Sequence, residues 1–137
     1  MTARAHIGAV GIGVSDLDRS VDFYVRVLGM REQNRFSLAH MDEVVVGFDD
    51  RMALVLMHWT DGSAPNYRSN PVKIVLYVDD ARACAERIRA EGLAVIREPA
   101  PFPGFGESLI GLTEDPDGYV VELIQPAPSK AREPEAS

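Results

Sequence analysis

The two halves of this chain repeat each other. Val14–Asp16 closes an apolar run and opens a helical stretch that ends at Gly29, and Val78–Asp80 does the same before a helical stretch that ends at Gly92. Three apolar segments separated by turn residues follow each helical stretch. The fold therefore has to contain one supersecondary unit twice, in the order strand, helix and three strands.

Local sequence patterns set the limits of each half. Asp16 and Asp80 are suited to cap the helices, and glycine follows each last helical turn. The halves are predicted at about 7–59 and 72–125, joined by a polar loop over 60–71 and followed by a tail over 127–137. The predicted strands are 7–14, 31–39, 43–48, 52–59, 72–78, 94–97, 108–113 and 119–125.

Length and composition predict one compact domain over residues 1–126, and the repeated order of strand and helix patterns predicts the α+β class. The chain has 137 residues, of which 46% are hydrophobic and 26% charged, enough for a single core. Its one cysteine, Cys84, cannot form an internal disulfide, and no apolar run approaches the about 20 residues of a membrane helix. The net charge of −7, without a basic cluster, argues against nucleic acid and favours cationic ligands. We expect a cytoplasmic protein that binds neither membranes nor nucleic acids.

Strand alternation indicates which side chains share a face. The large residues of the first strand are expected to cover its helix, which leaves alanine and glycine on the other face. In the second half, alternation places Lys73 and Glu122 on one face, and we expect Leu56 and His58 to join them. A concave, sparsely filled surface with a few polar groups is typical of a ligand site.

Two segments rich in aromatic residues are predicted to wall this surface. One borders the polar loop at 60–71, and the other sets phenylalanines among proline and glycine over 102–106. Each aromatic side chain either contacts a ligand or packs on its own sheet, and the sequence leaves both alternatives open. The predicted ligand-binding residues are Leu56, His58, Trp59, Tyr67, Lys73, Tyr77, Phe102, Phe105 and Glu122.

Segments 14–24, 27–30, 114–119 and 122–123 together resemble the vicinal oxygen chelate superfamily. This superfamily includes glyoxalase I, extradiol dioxygenases and bleomycin-resistance proteins. The resemblance covers about residues 7–125. It implies paired βαβββ modules that form a curved mixed sheet with a cleft and with helices on the outer face, and it implies a homodimer.

The resemblance also implies four metal-ligand positions, one on each of four strands. Members with metal chemistry place His, Glu or Gln there, and the matching residues of this chain are Ala9, Leu56, Lys73 and Glu122. Only Glu122 has a suitable donor atom, and the Lys73 ammonium repels a cation. We expect no metal and no cofactor. In place of the metal we expect a Lys73–Glu122 ion pair, which either contacts ligand or only neutralises itself on a solvated sheet face.

Two classes of function are compatible with these features. The first is a metal-independent protein that binds a small organic molecule and sequesters a drug or metabolite, as bleomycin-resistance proteins do. The second is an enzyme, a glyoxalase-like lyase or isomerase or a dioxygenase. Such an enzyme would use Lys73 as a base or Schiff-base amine, or Glu122 to move a proton alpha to a carbonyl, or a displaced metal site at His58 and Glu122.

Overall fold

The computed structural model describes residues 4–128, so residues 129–137 of the predicted tail lie outside it. Contacts divide the chain into two compact units, with the boundary between Asn70 and Pro71. This boundary falls inside the connection predicted at 60–71, which contains no strand. Each unit contains one copy of the predicted supersecondary unit and is called a module below. A single domain over residues 1–126 stays a prediction.

The first module has one helix and four strands. Its elements are β1 (Val10–Gly13), α1 (Leu17–Asp22), β2 (Arg31–Ser37), β3 (Met41–Phe48) and β4 (Arg51–Trp59). The strands form one sheet in the order β1-β4-β3-β2. Strands β1 and β4 are parallel and the other neighbours are antiparallel, and α1 packs on β3 and β4.

The second module repeats this architecture. Its elements are β5 (Lys73–Tyr77), α2 (Ala81–Ala90), β6 (Val95–Pro101), β7 (Leu109–Glu114) and β8 (Val120–Gln125). The strand order β5-β8-β7-β6 matches that of the first sheet, again with one parallel pair, β5 and β8. The predicted α+β fold with a duplicated βαβββ unit is therefore confirmed.

The predicted helix caps are present in both modules. Asp16 Oδ1 accepts a hydrogen bond from Arg19 N at 3.1 Å, and Asp80 Oδ1 accepts one from Ala83 N at 3.0 Å. These bonds satisfy backbone donors that have no partner within the first helical turn. No helix within residues 4–128 is long and apolar enough to cross a membrane. The left-handed glycines that follow the helical segments are Gly29 (φ 84°) and Gly92 (φ 79°).

The first helical segment is not α-helical to its end. Phe23–Val27 forms a π-helical turn, in which Leu28 N donates to Phe23 O at 3.0 Å. A π turn contains an extra residue and so shifts the buried stripe. The predicted stripe included Leu17 and Val21, which are only half buried. The buried residues are Ser20, Phe23, Tyr24, Val27 and Leu28.

A bulge in β4 depends on Gly47 of the neighbouring strand. Strand β3 pairs Val46 with Leu54 but Gly47 with Met52, so β4 has one extra residue at this point. A Cβ atom at Gly47 would overlap the carbonyl oxygen of Arg51 and lie 2.8 Å from the carbonyl carbon. The close approach of the two backbones therefore requires glycine.

We predict that Gly47→Ala destabilises the protein by about 1 to 3 kcal/mol, because the added methyl group meets backbone that cannot move aside locally. Urea unfolding measures the change. Gly8→Ala is the matched control, since its Cβ would lie 3.7 Å from the nearest atom, the Met52 methyl group. Equal unfolding midpoints for the two variants would contradict the prediction.

Candidate functional site

One row of side chains crosses the sheet of the second module. Val75 on β5 lies opposite Glu122 on β8, Glu122 lies opposite Leu112 on β7, and Leu112 lies opposite Arg97 on β6. Residues paired across strands point to the same face of a sheet. Glu122, Leu112 and Arg97 are therefore neighbours on the face opposite α2.

This row contributes to an open cavity of about 200 Å³. Phe102 and Phe105 form its aromatic wall, with ring centroids 5.7 Å apart in an edge-to-face arrangement. The structure brings these two predicted residues together with Glu122. Their contact with a ligand stays a prediction. The lining residues are Arg97, Phe102, Phe105, Ile110, Leu112 and Glu122.

Lys73 and Glu122 form the expected ion pair, with Nζ 3.4 Å from Oε1. The Lys73 side chain is 55% exposed and the Glu122 side chain is 18% exposed. The pair is therefore largely hydrated on its cationic side, and such pairs contribute little to stability. A lysine that serves as a base or Schiff-base amine needs burial, and Lys73 is not buried.

Tyr77 lies apart from this cavity. It is 74% exposed at the end of β5 and contributes, with Gln125, to a separate cavity of about 350 Å³. The structure therefore does not bring Tyr77 to the aromatic wall formed by Phe102 and Phe105.

The glycine face of the first module is covered by the module's own side chains. A Cβ atom at Gly11 would lie 3.1 Å from Met57 Sδ, and one at Gly13 would lie 3.2 Å from the Tyr67 ring. Tyr67 Oη accepts a hydrogen bond from Trp59 N at 3.1 Å, which holds the tyrosine in place. Trp59 and Tyr67 thus pack on their own sheet, and their contact with a ligand stays a prediction.

His58 links β4 to the chain just beyond β1. Its Nδ1 lies 2.9 Å from the carbonyl oxygen of Val14, so this nitrogen carries the proton and donates it. The ring stacks on Tyr67, with centroids 5.6 Å apart. These contacts assign His58 a structural role. Its predicted contact with a ligand remains untested.

The prediction that Leu56 belongs to the ligand face is wrong. Leu56 has 0% exposed surface and pairs with Ile12, which is 4% exposed. Both residues lie in the core. The neighbours of Leu56 along β4, Val55 and Met57, are only half buried, and Met57 covers the glycine face.

Equivalent hydrogen bonds identify the true counterpart of Glu122 in the first module. In each module the valine after the first strand donates a hydrogen bond from its N–H to the last strand. The acceptor is Met57 O, at 2.8 Å, in the first module and Ile124 O, at 2.9 Å, in the second. Two residues before these acceptors lie Val55 and Glu122. The sequence comparison chose Leu56 and was therefore shifted by one residue.

Different turn chemistry caused this shift. Asp49 and Asp50 form a tight two-residue turn in which Asp49 has a φ of 53°. In the second module, Asp115 Oδ1 accepts hydrogen bonds from the backbone N–H groups of Asp117 and Tyr119, each at 2.9 Å. The two acidic turns look alike in sequence but are not equivalent in structure, so counting residues from them misaligns the strands.

Sequence reasoning missed Arg97. Its Cζ lies 4.4 Å from the centroid of the Phe102 ring, and its Nη2 donates to Pro101 O at 3.2 Å. Strand β6 has irregular pairing on both sides of Arg97, so alternation alone does not predict where its side chain points. The available signal was a basic residue at the end of the strand predicted at 94–97, just before the aromatic segment.

Comparison with known proteins identifies the family. Residues 6–123 match the model of the Glyoxalase/Bleomycin resistance protein/Dioxygenase superfamily. The chain belongs to this superfamily. The resemblance of the sequence to glyoxalases and bleomycin-resistance proteins is thereby confirmed.

Relatives within the superfamily have different functions. A probable lactoylglutathione lyase of Vibrio cholerae is 36% identical over 120 residues, 82% of this chain and 84% of that protein. TnmS3, an antibiotic binding protein from Streptomyces sp. CB03234, is 28% identical with a TM-score of 0.71, over 93% of this chain and 100% of that one. A glyoxalase I mutant from Zea mays is 26% identical with a TM-score of 0.74, over 90% of this chain but 45% of that one.

The residues at the four superfamily metal positions do not fit a divalent metal. After the correction of the register, these positions hold Ala9, Val55, Lys73 and Glu122. Alanine and valine have no donor atom, and the Lys73 ammonium opposes a cation electrostatically. Within residues 4–128, no three His, Cys, Asp or Glu side chains are grouped to hold a metal ion.

We predict that Lys73→Met and Glu122→Gln each cost less than about 1 kcal/mol of unfolding free energy, because water already solvates the ammonium of this pair. Urea unfolding of both variants and of the double variant gives the coupling energy. A coupling well above about 1 kcal/mol would show instead that the pair is desolvated in solution.

Proposed function

We propose that this protein binds a small organic molecule without a metal, in the cavity of the second module. The observation that carries the proposal is the cavity itself, which combines the aromatic wall of Phe102 and Phe105 with the polar groups of Arg97 and Glu122. An apolar concavity with a few oriented polar groups is the usual form of a small-molecule site.

The donor chemistry at the four superfamily positions supports metal independence. A single carboxylate does not replace the three protein ligands of a typical catalytic zinc site. The similarity to TnmS3, over nearly the full length of both chains, supports a binding role such as drug or metabolite sequestration.

A second candidate is a metal-free lyase or isomerase. The relatives named lactoylglutathione lyase favour it, at about 36% identity over most of the chain. In that case Glu122 would move the proton, since Lys73 lacks the burial that base chemistry needs. Multiple turnovers that form lactoylglutathione from methylglyoxal and glutathione, followed by the absorbance of the thioester and lost in Glu122→Gln, would favour the lyase over the binding protein.

We predict that the purified protein contains well under one equivalent of Zn, Ni, Mn or Fe, and that EDTA leaves its melting temperature unchanged. Elemental analysis and thermal unfolding test this. The control is the triple variant Ala9→His, Val55→Glu and Lys73→His, purified identically, which restores donors at three positions. Stoichiometric metal in the unaltered protein, bound through Glu122, would refute metal independence.

We also propose a homodimer that acts in the cytoplasm. Strands β1 and β5 are edge strands of their sheets, and exposed apolar side chains accompany them, Val10 at 54% and Tyr77 at 74%. Unpaired edges and apolar surface favour association. We expect the mass of a dimer in light scattering at micromolar concentration, and a monomer would contradict this proposal.

A further inference from the structure

Arg97 brings an uncompensated positive charge to the cavity of the second module. Its guanidinium contacts the Phe102 ring, 4.4 Å from Cζ to the centroid, and the carbonyl oxygen of Pro101, 3.2 Å from Nη2. Both partners are neutral. Within residues 4–128, no carboxylate forms an ion pair with it.

Three arginines of the described chain, Arg26, Arg35 and Arg89, have acidic partners. Arg26 pairs with Asp22 at 2.7 Å. Glu98, the sequence neighbour of Arg97, pairs with Arg89 of α2 and so is not available to Arg97. Neither of these carboxylates, Asp22 or Glu98, is therefore available to Arg97.

Glu122 does not neutralise Arg97 either. Its Oε1 lies 3.4 Å from Lys73 Nζ, so its charge already has a partner. Two cations, Lys73 and Arg97, and one anion, Glu122, leave the group with one positive charge. An anionic ligand would neutralise this positive charge, whereas a cationic ligand would increase it.

The orientation of Arg97 suits a carboxylate. The five N–H donors of a guanidinium lie in its plane, and Phe102 occupies one face while Pro101 takes a single donor. The other N–H donors in the plane of the guanidinium remain available to a ligand. A planar carboxylate accepts two parallel hydrogen bonds from such an edge, which is the preferred geometry for this pair.

The rest of the cavity suits an apolar ring. Phe105, Ile110 and Leu112 line it beside the guanidinium. A volume of about 200 Å³ has room for one ring and its carboxylate, since a water molecule occupies about 30 Å³ of the liquid. Aromatic rings gain both from burial and from edge-to-face contact with phenylalanine.

We propose that the ligand is a small aromatic carboxylate, held by Arg97 through its carboxylate and by Phe102, Phe105 and Leu112 around its ring. This inference rests on the small-molecule function proposed above and names the chemical class of the ligand. It also opposes the preference for cations that the net charge of the chain suggests.

The test compares three probes that share a phenyl ring and differ in charge: benzoate, benzamide and benzylammonium. Isothermal titration calorimetry at millimolar probe concentrations measures affinity, and amide chemical shifts of Phe102 and Phe105 report the location. We expect benzoate to bind at least about tenfold more tightly than benzamide, because both carboxylate oxygens accept hydrogen bonds from the guanidinium and neutralise its charge, whereas benzamide has one acceptor oxygen and no charge. Benzylammonium is expected to bind most weakly.

Variants assign the effect to Arg97. We expect Arg97→Met to lose the preference for benzoate over benzamide. Arg97→Lys should retain part of it, since lysine keeps the positive charge but lacks the paired N–H donors of the planar guanidinium. Arg82→Met, which removes an exposed arginine of α2, is the matched control and should bind as the unaltered protein does. If Arg97→Met fails to fold, the comparison with Arg97→Lys and the three probes still decides the matter.

The outcomes separate the two proposals. Equal affinity for benzoate and benzamide, or tighter binding of benzylammonium, would overturn the carboxylate assignment and leave small-molecule binding intact. Benzoate binding that does not shift the Phe102 and Phe105 amides would overturn the assignment to this cavity. Absence of binding for all three probes would overturn the assignment too, while catalysed formation of lactoylglutathione by the same preparation would replace the binding function by the lyase.

Discussion

The parallel pairing of the first and the last strand fixes the arrangement of each module. One hydrogen bond in each module sets the register. The valine after the first strand donates it to the last strand, where the acceptor is Met57 O in the first module and Ile124 O in the second. Because the other strands pair outward from the last one, this register decides which residues share a row. In the second module the row reads Val75, Glu122, Leu112 and Arg97, and in the first it reads Gly11, Val55, Val45 and Asn34.

The duplication, the helix caps and most strands were predictable from the sequence, because they depend on local patterns such as Asp16 before a helix and glycine after it. The face of β4 was not predictable, because the turn before it differs in chemistry from its counterpart at Asp115 and only hydrogen bonds reveal the correct count. The position of Arg97 in the cavity was not predictable either, because bulges in β6 interrupt the alternation of side chains from which the face of a strand residue is assigned. Irregular backbone, and not weak hydrophobic patterning, limited the prediction of the site.

Net charge and local charge lead to opposite expectations for the ligand. The chain carries −7 overall, which favours the approach of cations from a distance. Charges farther away than about 8 to 10 Å are largely screened at physiological ionic strength, whereas a guanidinium beside a phenyl ring interacts at contact and in partly apolar surroundings. A group that contacts the ligand therefore outweighs the net charge in determining specificity, and in the site proposed for the second module that group would be Arg97.

The two modules have diverged in how they use the same face. In the first, the side chains of Met57 and Tyr67 from the same module fill the space that glycine leaves on this face. The hydrogen bond from Trp59 N to Tyr67 Oη holds the tyrosine in place. A ligand there would have to displace packed side chains and break that bond, which costs free energy before any contact is gained. In the second, charged and aromatic side chains border an open cavity. The equivalent face of the first module is therefore filled by its own side chains, whereas that of the second borders the cavity proposed to hold the ligand.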